Sequence, residues 1–137
     1  MIKNLRSFMR SLDRATNEEI NLADRYAFKT ALAIEADAKR LIQRGQPTGR
    51  VYKRGNVSHR ASAPYEAPAT DTGQLVRNIT TQKKKKLLYT TGSRRQAGYG
   101  KALEYGTVNM KPRPWLSVAV RNVKAKQKLA AKIGSIK

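Results

Sequence analysis

Apolar residues recur three and four apart along the first third of the chain. Ile2, Leu5, Phe8 and Leu12 mark one stripe, which predicts a short amphipathic helix over residues 2–12. Thr16-Asn17-Glu18-Glu19 follows in the form of a capping box, with Thr16 as N-cap and Glu19 three residues on, so a second helix is expected to start there. Ile20, Ala23, Ala27, Ala31, Ile34, Ala38 and Leu41 keep the helical period from Asn17 to about Gln43, a rod of about 40 Å at 1.5 Å per residue. Its stripe is mostly alanine, which lets a sheet or another helix come close. Gly45 and Pro47 end it.

The period is lost between Gly45 and Gly73. Val51-Tyr52 and Val57-Ser58-His59 flank Gly55-Asn56, a hairpin pattern. Residues 61–70 hold two prolines and no periodicity, and read as a long loop of the kind that is functional or waits for a partner. Asp71-Thr72-Gly73-Gln74 predicts a short helical turn with Asp71 as its N-cap and Leu75 and Ile79 on one face. Lys83–Lys86 leads into Leu87–Thr91, which has strand composition and ends at Gly92. After a basic turn over 93–98, Tyr99–Tyr105 predicts a short helix with Ala102 and Leu103 inward and Gly106 as its stop. Pro112 and Pro114 are expected in the first turn of a last helix striped by Trp115, Val118, Ala119, Val123 and Leu129. Its Lys/Ala-rich end, from Lys124, is expected to fray. The elements add up to an α+β class in one domain. It has an antiparallel β-sheet packed by a long N-terminal helix and a C-terminal helix. Residues 1–15 form an arm, 45–73 a long extended loop and 124–137 a basic tail.

Length and composition bound this picture. A chain of 137 residues is one domain by default and can bury roughly 68% of its unfolded surface. No apolar run reaches the 18 residues or so that a membrane span needs. The basic, amphipathic start lacks the apolar region and cleavage site of a secretory signal. Without cysteine there is neither a disulfide nor a thiolate metal site. The formal net charge is +20, unevenly spread: residues 1–45 hold nine basic and six acidic side chains, residues 46–137 twenty and three. The second part repels itself unless a negative neighbour lies against it, whether DNA, RNA or an acidic protein surface.

Catalytic chemistry is thinly represented. His59 is the single histidine, and Glu18 and Glu19 are adjacent, so on a helix they do not face each other. No glycine-rich phosphate loop occurs beyond the lone Gly98-Tyr99-Gly100, and no cluster has metal-ligand spacing. The expectation is a protein that is not an enzyme and uses no cofactor or metal. Lys83, Lys84, Lys85, Lys86, Arg94 and Arg95 are candidates for contact with a phosphate backbone or an acidic partner. The alternative is a solvated strand entry and turn. Phosphate contact would bring steep salt dependence without base preference, and no pattern of base-stacking aromatics is present.

Taken in order, several segments form a recognisable series. Arg60-Ala61-Ser62-Ala63-Pro64 is followed by Glu66-Ala67-Pro68, then Asp71-Thr72-Gly73-Gln74-Leu75 and Ile79. A basic strand, Tyr99, Glu104-Tyr105-Gly106-Thr107, and Pro112-Arg113-Pro114-Trp115-Leu116 complete it. This series resembles the small tail-component family of tailed bacteriophages, the neck or tail-completion proteins, over roughly residues 17–123. It departs from the family pattern in five places. Tyr65 stands where glycine is usual and Gly100 where alanine is common. Tyr105 and Trp115 replace phenylalanine, and Val118 stands near a usual proline.

The resemblance implies a structural virion protein of the head–tail junction. It would assemble in the host cytoplasm as a homo-oligomeric ring of six copies. Its partners would be head-closure or connector, tail-terminator and tail-tube proteins, with genomic DNA passing through the ring and no membrane involved. A tail-terminator ring, or a nonspecific basic nucleic-acid-binding protein, is the alternative. On this reading Glu104, Tyr105, Arg113, Trp115, Tyr65 and Glu66 are assembly residues, and the basic groups face DNA or acidic neighbours. Glu104 is expected to pair with Arg113 or with an arginine of a neighbouring copy. The 45–70 segment is expected to reach an adjacent subunit or the tail. The Leu75/Ile79, Leu87–Tyr89 and Leu103/Tyr105/Trp115 groups are expected to fill the core against the alanine stripe.

Overall fold

Nothing between Leu5 and Arg44 breaks a helix, since the stretch holds neither glycine nor proline. In the computed structural model, which describes residues 5–135, it is one helix, α1 (Leu5–Arg44), about 60 Å long. The break expected at Thr16 is absent. A capping box satisfies backbone N–H groups that a helix end leaves open, and here the preceding turn already satisfies them. Ile2 lies outside the described residues.

The C-terminal half of α1 is the spine. Ala31, Ala38 and Ile42 are buried on it. Every described side chain from Leu5 to Glu19, by contrast, is exposed. A short hairpin follows, β1 (Val51–Arg54) and β2 (Val57–Arg60), antiparallel with Val51 opposite Arg60 and Gly55 in the left-handed region at φ 61°. Seven of its eight residues are exposed. The loop that carries it does not reach away as a whole. The Gly49 amide donates to the Ala61 carbonyl (2.9 Å), and Thr70 Oγ1 donates to the Ile42 carbonyl at the end of α1 (2.9 Å). Only the hairpin stands clear of the body.

The short helix α2 (Gln74–Asn78) begins after Gly73, at φ 73°, and not after Asp71. The Asp71 carboxylate is engaged by the Arg54 guanidinium, tying the β1–β2 hairpin to the loop. Ile79 opens β3 (Ile79–Lys85), which pairs antiparallel with β4 (Leu88–Ser93), Ile79 opposite Ser93, with a register shift between Lys83 and Lys85. Thr81 and Thr91 face α1, their hydroxyls 2.9 Å apart and each 3.3 Å from the Ala31 carbonyl. Leu87 and Leu88 are exposed rather than in the core. Leu87 is a turn residue at φ 65°, and the hairpin tip runs past the core to meet Asp24. Tyr89 is half-buried against Phe28, ring centroids 5.2 Å apart.

A 3-10 turn (Arg95–Ala97) leads into α3 (Tyr99–Tyr105), which stops at Gly106, φ 77°. A Cβ on Gly106 would lie 2.7 Å from the Met110 carbonyl oxygen, so glycine is required there twice over. The last helix, α4 (Leu116–Gly134), starts after both prolines, and its lysine-rich end is helical to Gly134. The chain before it is extended because each proline disfavours helical geometry in the residue it follows. Helix α4 runs antiparallel to α1: Asn122 Nδ2 donates to Asp37 (2.9 Å) and Gln127 Nε2 to Thr30 (2.8 Å). The core between these layers is Ala38, Ile42, Leu75, Val76, Ile79, Ala97, Trp115 and Ala119, edged by Ile34, Leu41, Leu103 and Leu116. Tyr105, expected in the core, is exposed. The architecture is the expected α+β class, with the strands divided between two small antiparallel sheets.

Candidate functional site

The candidate residues gather at two places, a cross-braced corner and one face of a basic hairpin. At the corner the Glu104 carboxylate accepts the backbone N–H groups of Trp115 (2.8 Å), Leu116 (2.8 Å) and Ser117 (3.0 Å). These are the amides that the first turn of α4 leaves open, so an acid on α3 caps a different helix at its positive end. Partial burial pushes the Glu104 carboxyl up. Hydrogen bonds from the Ser117 hydroxyl and the three amides outweigh it and hold the group below its ordinary value.

The expected ion pair with Arg113 is not formed. Arg113 Nε donates to the Ser62 carbonyl (3.1 Å), and its amide donates to the Leu103 carbonyl (2.6 Å). A carboxylate facing three amides at a helix start has no need of the guanidinium. Trp115 is a core residue, 2% exposed, with Nε1 donating to the Gly100 carbonyl (3.0 Å). That contact needs α3 close to the core. A Cβ on Gly100 would fall 2.6 Å from Ser93 Oγ and 3.1 Å from Leu75 Cδ1, which is why glycine stands where alanine was expected.

The loop opposite is braced in the same manner. The Glu66 carboxylate accepts the Ala63 amide (2.8 Å), the Thr48 amide (3.1 Å) and the Thr48 hydroxyl, and these bonds, the Thr48 hydroxyl first, lower its pKa. The Tyr65 amide donates to the Pro112 carbonyl (2.8 Å) across the corner. Tyr65 itself is at φ 68°, a conformation that costs a side chain other than glycine roughly 1–2 kcal/mol. The unusual tyrosine therefore adopts the backbone that the expected glycine would adopt freely. Its ring is exposed, as are Tyr105 and Val108. Of the six assembly candidates, Glu104, Arg113, Trp115 and Glu66 are engaged within the chain, and Tyr65 and Tyr105 present rings to solvent.

The second place is the β3–β4 hairpin. Lys83 points to α1, where Nζ meets Asp24 (2.8 Å) and lies 5.4 Å from the Tyr89 ring centroid. Asp24 also accepts the Leu87 amide (2.7 Å). These contacts, Lys83 first, lower its pKa to about 2. Lys83 is thus a structural lysine. Lys84, Lys85 and Lys86 are exposed at the tip and Arg94 and Arg95 at the other end, about 20 Å away along β3. Between them lies an open polar hollow of about 300 Å³, lined by Thr80, Gln82, Thr90, Ser93, Arg94 and Arg95 among others.

 Two hydroxyl rows and two guanidinium groups line the hollow without a carboxylate among the described residues. Arg94 Nε rests 3.4 Å from Thr80 Oγ1, and Lys84 Nζ 3.3 Å from Gln82 Oε1. Donors of this kind match phosphate oxygens and carry no base specificity.

Thr80, Gln82 and Thr90 were not among the sequence candidates. Their signal is the period-two alternation of Thr80, Gln82 and Lys84, visible once the strand is started at Ile79 rather than Leu87. Among the described residues no group of three or more His, Asp or Glu side chains could hold a metal ion, and no helix is long and apolar enough to cross a membrane. Compared with protein-family models, curated proteins and solved structures, the chain matches none.

Proposed function

We propose that this chain is a noncatalytic structural protein of a phage head–tail junction, assembling as a ring around the DNA path. The observation that carries the reading is the outward face of the β3–β4 hairpin. It offers hydroxyl and cationic donors over about 20 Å, on a body that holds the whole net positive charge. A surface of this kind grips phosphate without reading sequence, which suits a collar through which any genome must pass. The motif series supports the same reading, because its segments brace one another at the corner through Glu104, Arg113 and the Tyr65 amide. Tyr65, Tyr105 and Val108, exposed around that corner, offer aromatic and apolar contacts to neighbouring subunits.

Gradient sedimentation of the purified chain with tailless heads and with isolated tails tests the proposal. Association with one of them, and head–tail joining that fails for a variant with Lys84, Arg94 and Arg95 changed to alanine, is the expected result. A chain that ignores both particles yet binds duplex DNA tightly as a monomer at physiological salt would instead be a nonspecific nucleic-acid binder.

A further inference from the structure

The uncovered part of α1 has a finer pattern than amphipathicity alone. Leu5, Phe8, Leu12, Ala15, Glu19, Leu22 and Tyr26 follow a strict alternation of three and four residues, the a/d seam of a coiled coil. Its five large apolar members are all more than half exposed, from 51% at Leu12 to 65% at Leu22. Asp24, which holds the β3–β4 tip, is outside the seam, and the seam meets the body at its C-terminal end, where Tyr26 lines the hollow between α1 and α4.

Charge decides what can cover such a seam. Residues 1–24 hold four basic and four acidic side chains, so the entire net +20 falls on residues 25–137. The arm is the part of the chain that a second copy can approach without repulsion. It is also electrically polar. Residues 5–14 carry Arg6, Arg10 and Arg14 against Asp13, a net of +2; residues 15–23 carry Glu18 and Glu19 and no base, a net of −2. Laid antiparallel, the positive half of one arm meets the negative half of the other. Laid parallel, like charge meets like. An antiparallel pair also sets the two basic bodies at opposite ends of a seam about 33 Å long, several times the screening length of about 8 Å at physiological salt. Ala15, the small residue near the middle, lets the helices approach where they cross.

We infer that the Leu5–Tyr26 face of α1 pairs antiparallel with the same face of a second copy, crossing between Leu12 and Glu19. This pairing requires nothing of the neck reading and would hold in the free protein.

The 137-residue chain has no cysteine, so single cysteines report the geometry directly. Ala15→Cys is expected to form a disulfide-linked dimer on mild oxidation, whereas Leu5→Cys, at the far end of the seam, is not. In sedimentation equilibrium the unmodified chain is expected to be a dimer. Phe8→Asp with Leu12→Asp should make it a monomer with unchanged helix content, since both side chains are more than half exposed. Glu18→Lys with Glu19→Lys should weaken the dimer at least about tenfold, a loss of about 1.4 kcal/mol, and mixing with Arg10→Glu, Arg14→Glu chains should restore association. A monomer at every concentration, a dimer indifferent to the aspartate substitutions, or ready cross-linking through Leu5→Cys would each overturn the inference.

Discussion

A carboxylate that accepts three consecutive amide N–H groups acts through geometry and charge together. Glu104 lowers the cost of the open first turn of α4 and places negative charge at the helix's positive end. Glu104→Gln keeps the shape, loses the charge and one acceptor, and is expected to cost about 1 kcal/mol, read as a lower Tm. The pH dependence follows from the direction of the shift. The folded carboxyl titrates below its ordinary value, so its contribution is present above the unfolded pKa, about 4.3, and is lost as pH falls through the folded value. The Tm difference between the two proteins should therefore be full at neutral pH and close below about pH 4. A difference that persists unchanged into strong acid would mean the charge is not what caps the helix. That this glutamate faces amides could not be read locally, because its partners lie eleven to thirteen residues on, across a turn closed by the Thr107–Met110 bridge.

At the scale of elements, α1 and the β3–β4 hairpin are joined by one acid near the hairpin tip. Asp24 accepts from Lys83 Nζ and from the Leu87 amide, and so holds a turn whose own residue Leu87 is in the left-handed region. Asp24→Asn keeps an acceptor but removes the charge that Lys83 pairs with. Amide exchange at Leu87 and its neighbours is expected to speed up, with exchange in α4 unchanged. An NMR titration of the wild-type Asp24 carboxyl should give a midpoint of about 2. A midpoint near the ordinary 3.8 would show the contact to be open in solution. The terminators of the elements were legible: Gly45, Gly55-Asn56 and Gly106 stand where turns or stops were expected, because glycine there answers a local backbone demand. The starts were less so. Thr16 and Asp71 have the chemistry of caps, but a cap residue is compatible with a helix interior or with an ion pair, and packing chose those.

At the scale of the whole molecule, the charge sits on a body with a small core. Like charges at this density push the folded chain apart, and salt relieves them. Raising ionic strength from about 0.01 M to about 0.15 M shortens the screening length from about 30 Å to about 8 Å, and the Tm of the free protein should rise over that range. The few ion pairs act in the other direction, but the exposed ones contribute only about 0–1 kcal/mol each. A Tm that falls with salt would mean that the pairs around Asp24, Asp37 and Asp71 outweigh the net repulsion.

The sequence by itself determined the class of fold, the long N-terminal helix, the β1–β2 turn, the stop at Gly106 and the uneven charge. Each of these follows from period, backbone preference or counting, which need no neighbour. Only the tertiary structure decided that α1 is continuous, that Glu104 caps α4 while Arg113 turns to Ser62, that Lys83 is taken by Asp24, and that Trp115 belongs to the core and Tyr105 to the surface. Those outcomes depend on which groups meet across large separations in the chain. A polar side chain takes whichever partner the packing brings within about 3 Å, and its type alone does not say which.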